Sequence, residues 1–204
     1  MFHDRIAEAT FASLRKEFGF STCIETGTHL GHGAFHISKV CDCITIDHNN
    51  DFRIQAADYW LKSGCDILQL HPVIVAENKG KLIRSYFGNS PDVLRSILDG
   101  NEFNPSEPSC FYLDAHWGSY LPLRDELAII AEFKPSRCLI LIHDVKVPGK
   151  NFNFDEYDGV PLSYEFVKDR LASINPGFKI FHNEECDPKD EPYSSARGIL
   201  YATP

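Results

Sequence analysis

Short apolar runs that alternate with helix-like stretches constrain the fold of this chain most. The runs cover residues 22–25, 43–47, 82–87, 110–114 and 138–145, and helical periodicity fills most of the sequence between them. Continuous apolar runs of this length are typical of strands that are buried on both faces of a parallel sheet. The alternation predicts an α/β fold with a doubly wound, mostly parallel sheet and helices on both faces. Residues 64–80 leave three interpretations open: a strand, an insertion or a broken helix.

Length and composition narrow the class of protein further. The 204 residues fit a single domain (1–204), with an N-terminal helix within residues 1–20 and a loop at 146–160 that is expected to act as a substrate lid. The formal net charge of −9 argues against a nucleic-acid partner, because binding phosphates requires a basic face. No apolar run reaches the roughly 18 residues of a membrane span, so no membrane partner is expected. An oligomer is compatible with the sequence, which does not fix the oligomeric state.

The cysteines indicate a reducing compartment. There are seven, an odd number, and none forms a C-x-x-C pair. Cys23, Cys110 and Cys138 lie in or beside the apolar runs, where a reduced cysteine behaves as a small apolar residue. The N-terminus also lacks the apolar segment of a signal peptide. The sequence therefore predicts a cytoplasmic protein.

Polar residues follow all five apolar runs at the point where each run ends. Ligands of open parallel sheets bind outside the carboxyl ends of the strands, so these residues are expected to share one site. In chain order they are Glu25 with Gly27, Thr28, His29 and Gly31; Asp47; Asn89 and Ser90; Asp114 and His116; and His143 and Asp144.

The turn after the first run has the character of a cofactor loop. Glycine allows a ligand to approach the backbone closely, because it has no Cβ and tolerates positive φ. Asp47 follows Gly27 by 20 residues, a spacing at which an acid commonly meets a ribose. The alternatives to cofactor binding are structural: the glycines form a plain strand-to-helix turn, and Asp47 caps the following helix.

With an acid after the second run and "GNS" after the third, the E-x-G-x-x-x-G pattern of "ETGTHLG" resembles the class I S-adenosylmethionine (SAM)-dependent methyltransferases. The closing runs "GFKIFH" and "ARGILYATP" are similar to that family's last two strands, which implies a seven-stranded Rossmann-like sheet with an antiparallel last strand. The resemblance implies that Glu25, Gly27, Thr28 and Gly31 border the methionine part of SAM, with His29 in the same cofactor-binding turn, where many members have glycine. It also implies that Asp47 binds the ribose, that Asn89 and Ser90 lie at the adenine, and that Asp114 lies at the cofactor.

A second group of polar residues follows the fourth and fifth runs, and these residues are expected to carry out the chemistry. Two carboxylates on neighbouring strands, Asp114 and Asp144, suit Mg²⁺, and added histidines shift the preference toward Zn²⁺, Mn²⁺ or Fe²⁺. The arrangement resembles metal-dependent O-methyltransferases of the catechol and macrocin types, which implies Asp114, His143 and Asp144 as metal ligands, with His143 in place of the usual acid. Without a metal, a histidine near neutrality is the natural base for a hydroxyl. His116 is the first candidate base and His143 the second, and a hydrogen-bonded structural histidine is the alternative for each.

These observations favour a SAM-dependent methyltransferase that acts on a small polar molecule at a hydroxyl oxygen, with or without a divalent cation. Trp117 and Tyr120 are placed to wall the pocket or to pack under a loop. Lys146, Lys150 and Arg197 either offset anionic groups of a substrate or lie on the solvated surface.

Three rival functions stay open. A nicotinamide-dependent oxidoreductase is disfavoured, because the turn lacks the G-x-G-x-x-G spacing. The others are a metal-dependent hydrolase that uses the "DAH" and "HD" residues, and a binding module that has lost catalysis.

Overall fold

A computed structural model describes residues 4–116, 120–135, 137–187 and 196–204. The helices are α1 (Arg5–Phe18), α2 (His32–Ile37), α3 (Asn50–Lys62), α4 (Ser90–Asp99), α5 (Leu123–Phe133) and α6 (Tyr164–Ile174). The strands are β1 (Thr22–Thr26), β2 (Asp42–Asp47), β3 (Asp66–Gln69), β4 (Ile74–Asn78), β5 (Lys81–Phe87), β6 (Ser109–Leu113), β7 (Cys138–His143), β8 (Glu156–Tyr157), β9 (Val160–Pro161), β10 (Lys179–His182) and β11 (Ile199–Thr203).

Nine of these strands form one mixed sheet in the order β10-β11-β7-β6-β1-β2-β5-β4-β3. The five central strands, which are the five apolar runs of the sequence, pair in parallel. β11 lies antiparallel between β7 and β10. The predicted mostly parallel sheet with an antiparallel last strand is therefore confirmed.

Residues 64–80, which the sequence left undecided, contain the hairpin of β3 and β4. This hairpin adds two antiparallel strands beyond β5 and extends the expected seven strands to nine. The apolar alternation of the hairpin is weak, because β3 is mostly exposed at the edge of the sheet. Weak alternation explains why periodicity alone did not identify it.

The core consists of two layers, one on each face of the sheet. Phe11 of α1 and Trp60 of α3 are fully enclosed on one face, together with α2. Leu94 of α4, Leu127 of α5 and Val167 of α6 fill the other face. Every residue of β6 and β7 is buried, as the uninterrupted apolar runs predict for central strands. The helices thus cover both faces, and they leave the edge at which the parallel strands end, here called the carboxyl edge, to carry polar groups.

The cysteines behave as the sequence suggests. All seven are free thiols, and Cys23, Cys43 and Cys110 lie side by side on three adjacent strands. Burial raises the pKa of the Cys23 and Cys43 thiols well above the usual range. None of the helices in the described ranges is long and apolar enough to cross a bilayer.

Candidate active site

The turn that leaves β1 passes directly against the end of β6. Gly27 has φ of 88°, and a Cβ built on it would lie 2.7 Å from the carbonyl oxygen of Asp114. The Gly27 N–H donates to the Ile46 carbonyl oxygen over 2.9 Å, which ties the turn to β2 as well. Only glycine fits this position, because both the conformation and the space exclude a side chain. The glycine turn thus touches both neighbouring strand ends.

A buried chain of hydroxyl groups links this turn to Glu25. The Thr45 hydroxyl donates to Glu25 Oε2 over 2.6 Å and lies 2.7 Å from the hydroxyl of Thr28. Because the Thr45 proton is committed to the carboxylate, the Thr28 hydroxyl must donate to Thr45. Burial raises the pKa of Glu25 to about 8, although the bond from Thr45 opposes the shift. Glu25 and Thr28 therefore lie together at the end of β1.

Asp47, at the end of β2, holds the conformation of the turn. Its Oδ2 accepts the N–H of His29 over 2.7 Å, and its Oδ1 accepts the N–H of Asn49 over 2.8 Å. His29 has φ of 44°, a left-handed conformation that costs energy for a non-glycine residue. The Asp47 carboxylate anchors this conformation, so a bulky residue is accommodated where many methyltransferases of the resembling family have glycine.

The end of β5 brings Asn89 and Ser90 to the same edge, but their side chains are already engaged. The Asn89 amide donates to Asp92 over 3.0 Å. The Ser90 hydroxyl donates to Glu126 Oε1 over 2.5 Å, and Glu126 is fully buried. Burial raises the pKa of Glu126 to about 7 against the opposing bond from Ser90.

Sequence reasoning missed Glu126, although a signal was present. The residue lies three positions after Leu123 and four before Ile130, within the apolar stripe of α5. An acid on a buried helix face is costly unless it is paired or neutralised, so it is itself a marker of a polar site. Its Oε2 has no hydrogen-bond partner among the residues that the structure describes.

The ends of β6 and β7 bring two carboxylates and two histidines together. His143 Nδ1 lies 3.2 Å from Asp114 Oδ1 and 2.9 Å from Asp144 Oδ1. His116 Nε2 lies 3.8 Å from Asp144 Oδ2. Ligand atoms of Asp114, His116 and Asp144 all lie within 4.8 Å of one another, in the manner of a metal site. His143 bridges the two carboxylates instead, so the geometry favours His116 over His143 as the imidazole of that group.

Charge and strain are concentrated at Asp144. Burial disfavours its carboxylate, but His143 and Arg197 outweigh burial and hold the pKa of Asp144 well below its usual range. For His143, burial is likewise outweighed by Asp144 and Asp114, and the pKa of the imidazole is raised. Asp144 also has φ of 59°, an unfavourable left-handed conformation of the kind that clusters at functional sites.

The segment 146–162, here called the lid segment, contributes a third carboxylate that the sequence did not single out. Asp155 Oδ2 lies 3.5 Å from His116 Nε2, and Asp155 Oδ1 lies 2.9 Å from Arg197 Nη1. The same Arg197 nitrogen lies 3.0 Å from Asp144 Oδ1. Loop residues have no periodicity that marks them, so only the folded chain identifies Asp155.

Of the three cations considered for an anionic substrate, only Arg197 lies in this cluster. Lys146 lies over the ring of Phe154, 5.1 Å from its centroid, and Lys150 pairs with Glu184 at 3.0 Å. Tyr120 is partly exposed, 3.3 Å from an oxygen of Asp125. Trp117 lies outside the described residues.

The fold is shared with solved methyltransferase structures. The sequence matches no protein-family model and no curated protein. An O-methyltransferase from Bacillus cereus, in complex with S-adenosylhomocysteine (SAH), has a TM-score of 0.65 at 12% identity, over 100% of this chain and 84% of that one. The O-methyltransferase TomG from Streptomyces achromogenes, involved in tomaymycin synthesis and bound to SAM, has a TM-score of 0.62 at 12% identity, over 97% of this chain and 79% of that one.

A protein with a different activity in its name shares the fold less closely. Precorrin 8W decarboxylase from Methanobacterium thermoautotrophicum has a TM-score of 0.52 at 12% identity, over 96% of this chain and 89% of that one. Since one fold serves several chemistries, these likenesses establish architecture and leave function to the residues of the site. The chain has the fold of the class I SAM-dependent O-methyltransferases.

Proposed function

We propose that this chain is a SAM-dependent methyltransferase that acts in the cytoplasm on a small polar molecule, at a hydroxyl oxygen. The observation that carries the proposal is the pairing of the glycine turn of β1 with Asp47 at the end of the adjacent β2. An open turn against an acid on the next parallel strand suits a nucleoside with a charged tail. The SAM and SAH complexes of proteins with the same fold support this choice of ligand.

The cofactor would lie across the ends of β1, β2, β5 and β6. The turn of β1 would border the methionine part, Asp47 would accept the ribose hydroxyls, and the end of β5 would lie at the adenine. The residues assigned to this half are Glu25, Gly27, Thr28, His29, Gly31, Asp47, Asn89, Ser90 and Asp114.

The second half of the site fits a divalent cation. Asp114, His116 and Asp144 supply two carboxylates and one imidazole in a single group, a donor set that suits Mn²⁺ or Fe²⁺ and also accepts Mg²⁺. Asp155 adds a third carboxylate, and among the described residues Arg197 is the only Lys or Arg with an ion pair to these acids. A bound divalent cation would fix an acceptor hydroxyl and lower its pKa.

The residues of the chain supply alignment and proton transfer. Methyl transfer from a sulfonium is an in-line displacement, so it needs a fixed acceptor oxygen that loses its proton. His116 exposes 45% of its side chain at the carboxyl edge, so without a bound cation its imidazole would be accessible to a hydroxyl proton. His143 is the second candidate base, but its contacts with Asp114 and Asp144 favour a positioning role. The lid segment would cover the acceptor.

The test begins with ligand binding by the purified chain. Titration calorimetry should give saturable binding of SAH and none of NAD⁺ or NADP⁺, and mass spectrometry should find SAM or SAH in the freshly purified protein. Binding of NAD(P) without SAH would favour the oxidoreductase instead. Phosphatase or esterase turnover in the absence of SAM would favour the hydrolase.

Catalysis needs a separate measurement. Transfer of a labelled methyl group from SAM should be followed over a panel of sugars, polyols and catechols. We expect turnover with at least one hydroxyl acceptor and its loss in the His116→Ala variant. SAH binding without turnover on any acceptor would support the binding module.

A further inference from the structure

The lid segment is fixed to the site by its backbone as well as by Asp155. The Asp155 N–H donates to the Asp144 carbonyl oxygen over 2.9 Å, and the Asp155 carbonyl oxygen accepts the Leu162 N–H over 2.9 Å. The Asn153 N–H donates to the Ala196 carbonyl oxygen over 2.7 Å. These bonds place Asp155 at the carboxyl edge.

Arg197 orients the two acids in the same way. Its Nη1 contacts Oδ1 of both Asp144 and Asp155, so that each acid has its other oxygen, Oδ2, on the side of His116. The two Oδ2 atoms lie 3.8 and 3.5 Å from His116 Nε2. The Tyr157 hydroxyl, 3.4 Å from Asp155 Oδ2, further limits where that carboxylate can turn.

A second observation concerns the buried carboxyl group of Glu126. Glu126, 0% exposed, lines the same cavity as Asp114, His116, Asp144 and Asp155, and its Oε2 has no hydrogen-bond partner among the described residues. Ionising the buried Glu126 carboxyl group is costly without a further positive partner nearby. Three aspartates and Glu126 face the cationic groups Arg197 and His143 in this cluster, so acids outnumber positive charges there.

We propose that Asp155 is a further ligand of the divalent-cation site, supplied by the lid segment and aimed by Arg197 as its positioning residue. The inference rests on the cation half of the proposed function and gives it a fourth protein group. A ligand on the lid segment makes cation binding and closure of the lid segment interdependent. A cation that uses Asp155 stabilises the closed lid segment, and a closed lid segment strengthens cation binding.

The test is a Mn²⁺ titration of the full chain without SAM, followed by electron paramagnetic resonance. We expect the Asp155→Asn variant to bind Mn²⁺ at least tenfold more weakly than the wild-type chain, the scale on which groups around a metal act. The matched control is Asp158→Asn, an exposed acid of the same segment whose left-handed φ of 51° suits asparagine. It should bind Mn²⁺ like the wild-type chain.

Hydrogen exchange gives a second readout, which compares the wild-type chain with the Asp155→Asn variant. Mn²⁺ should slow amide exchange across residues 146–162, and this protection should be lost in Asp155→Asn. The proposal is overturned if the wild-type chain binds no Mn²⁺, if Mn²⁺ leaves lid exchange unchanged, or if Asp155→Asn binds within twofold of wild type. SAH binding is measured separately. A metal-independent methyltransferase would bind SAH but not Mn²⁺, whereas a failed cofactor assignment would show no SAH binding.

Discussion

The Asp47→Asn variant tests the cofactor half of the site most directly. The Asp47 carboxylate accepts two backbone N–H groups, from His29 and Asn49, and is expected to receive the ribose hydroxyls as well. Asparagine keeps one acceptor oxygen and turns an NH₂ group toward the remaining donors, so at least one charge-assisted hydrogen bond is lost. Such a bond contributes about 1.5–3 kcal/mol.

That loss should appear as weaker SAH binding by roughly 10- to 150-fold, because each 1.4 kcal/mol or so is a factor of ten in affinity. Titration calorimetry with SAH measures it, and circular dichroism shows whether the variant is folded. Part of the effect acts through His29, whose left-handed conformation Asp47 anchors. The turn should therefore exchange its amide protons faster in the variant.

The control lies on the same strand at the opposite edge of the sheet. Asp42 begins β2 and accepts one backbone N–H, that of Leu82, over 3.1 Å. Asp42→Asn should cost a comparable amount of fold stability and leave SAH affinity unchanged. SAH affinity within twofold of wild type in Asp47→Asn would refute the ribose assignment, and an equal loss in Asp42→Asn would show that the effect is general destabilisation.

Three further predictions follow from buried groups. A Cβ on Gly33 would lie 1.9 Å from Glu25 Oε1, so Gly33→Ala should lower the free energy of unfolding by about 1–3 kcal/mol in urea titrations, and an unchanged value would contradict the packing. With its raised pKa of about 7, Glu126 keeps in the folded state a proton that the unfolded chain loses near pH 4. Stability should therefore fall as pH rises from about 5 to 7, and Glu126→Gln should reduce this fall; an unchanged slope would show that Glu126 is ionised in the folded chain. Asp114→Asn should lower methyl transfer at least tenfold with an unchanged circular dichroism spectrum, whereas loss of that spectrum would indicate a structural role.

The sequence predicted the sheet because the central strands are buried on both faces, and this burial leaves long apolar runs that few other structures require. The hairpin of β3 and β4 escaped prediction because an edge strand is mostly exposed and needs no such run. The ends of the strands were predictable for the same reason as the strands themselves. An acid that closes an apolar run, such as Asp47 or Asp144, can only lie at the carboxyl edge.

The rest of the candidate site depends on tertiary contacts that no local pattern records. Asp155 reaches His116 through backbone bonds between the lid segment and residues 144 and 196–198. That His116 rather than His143 groups with Asp114 and Asp144 follows from side-chain direction at two strand ends. Glu126 could be predicted only in part. Its position in the apolar stripe of α5 is visible in the sequence, but its partner Ser90 lies 36 positions away.

Under the proposed function, the contact between Gly27 and the end of β6 has a consequence for how the acceptor specificity can be altered. With 2.7 Å between a hypothetical Cβ and the Asp114 carbonyl oxygen, the cofactor turn and the acid cluster cannot be shifted independently. Changes of acceptor, whether by engineering or by natural divergence, are therefore expected to accumulate in residues 146–162. Grafting that stretch from a relative of different specificity, while residues 22–47 and 109–116 stay intact, is the economical route to a new product.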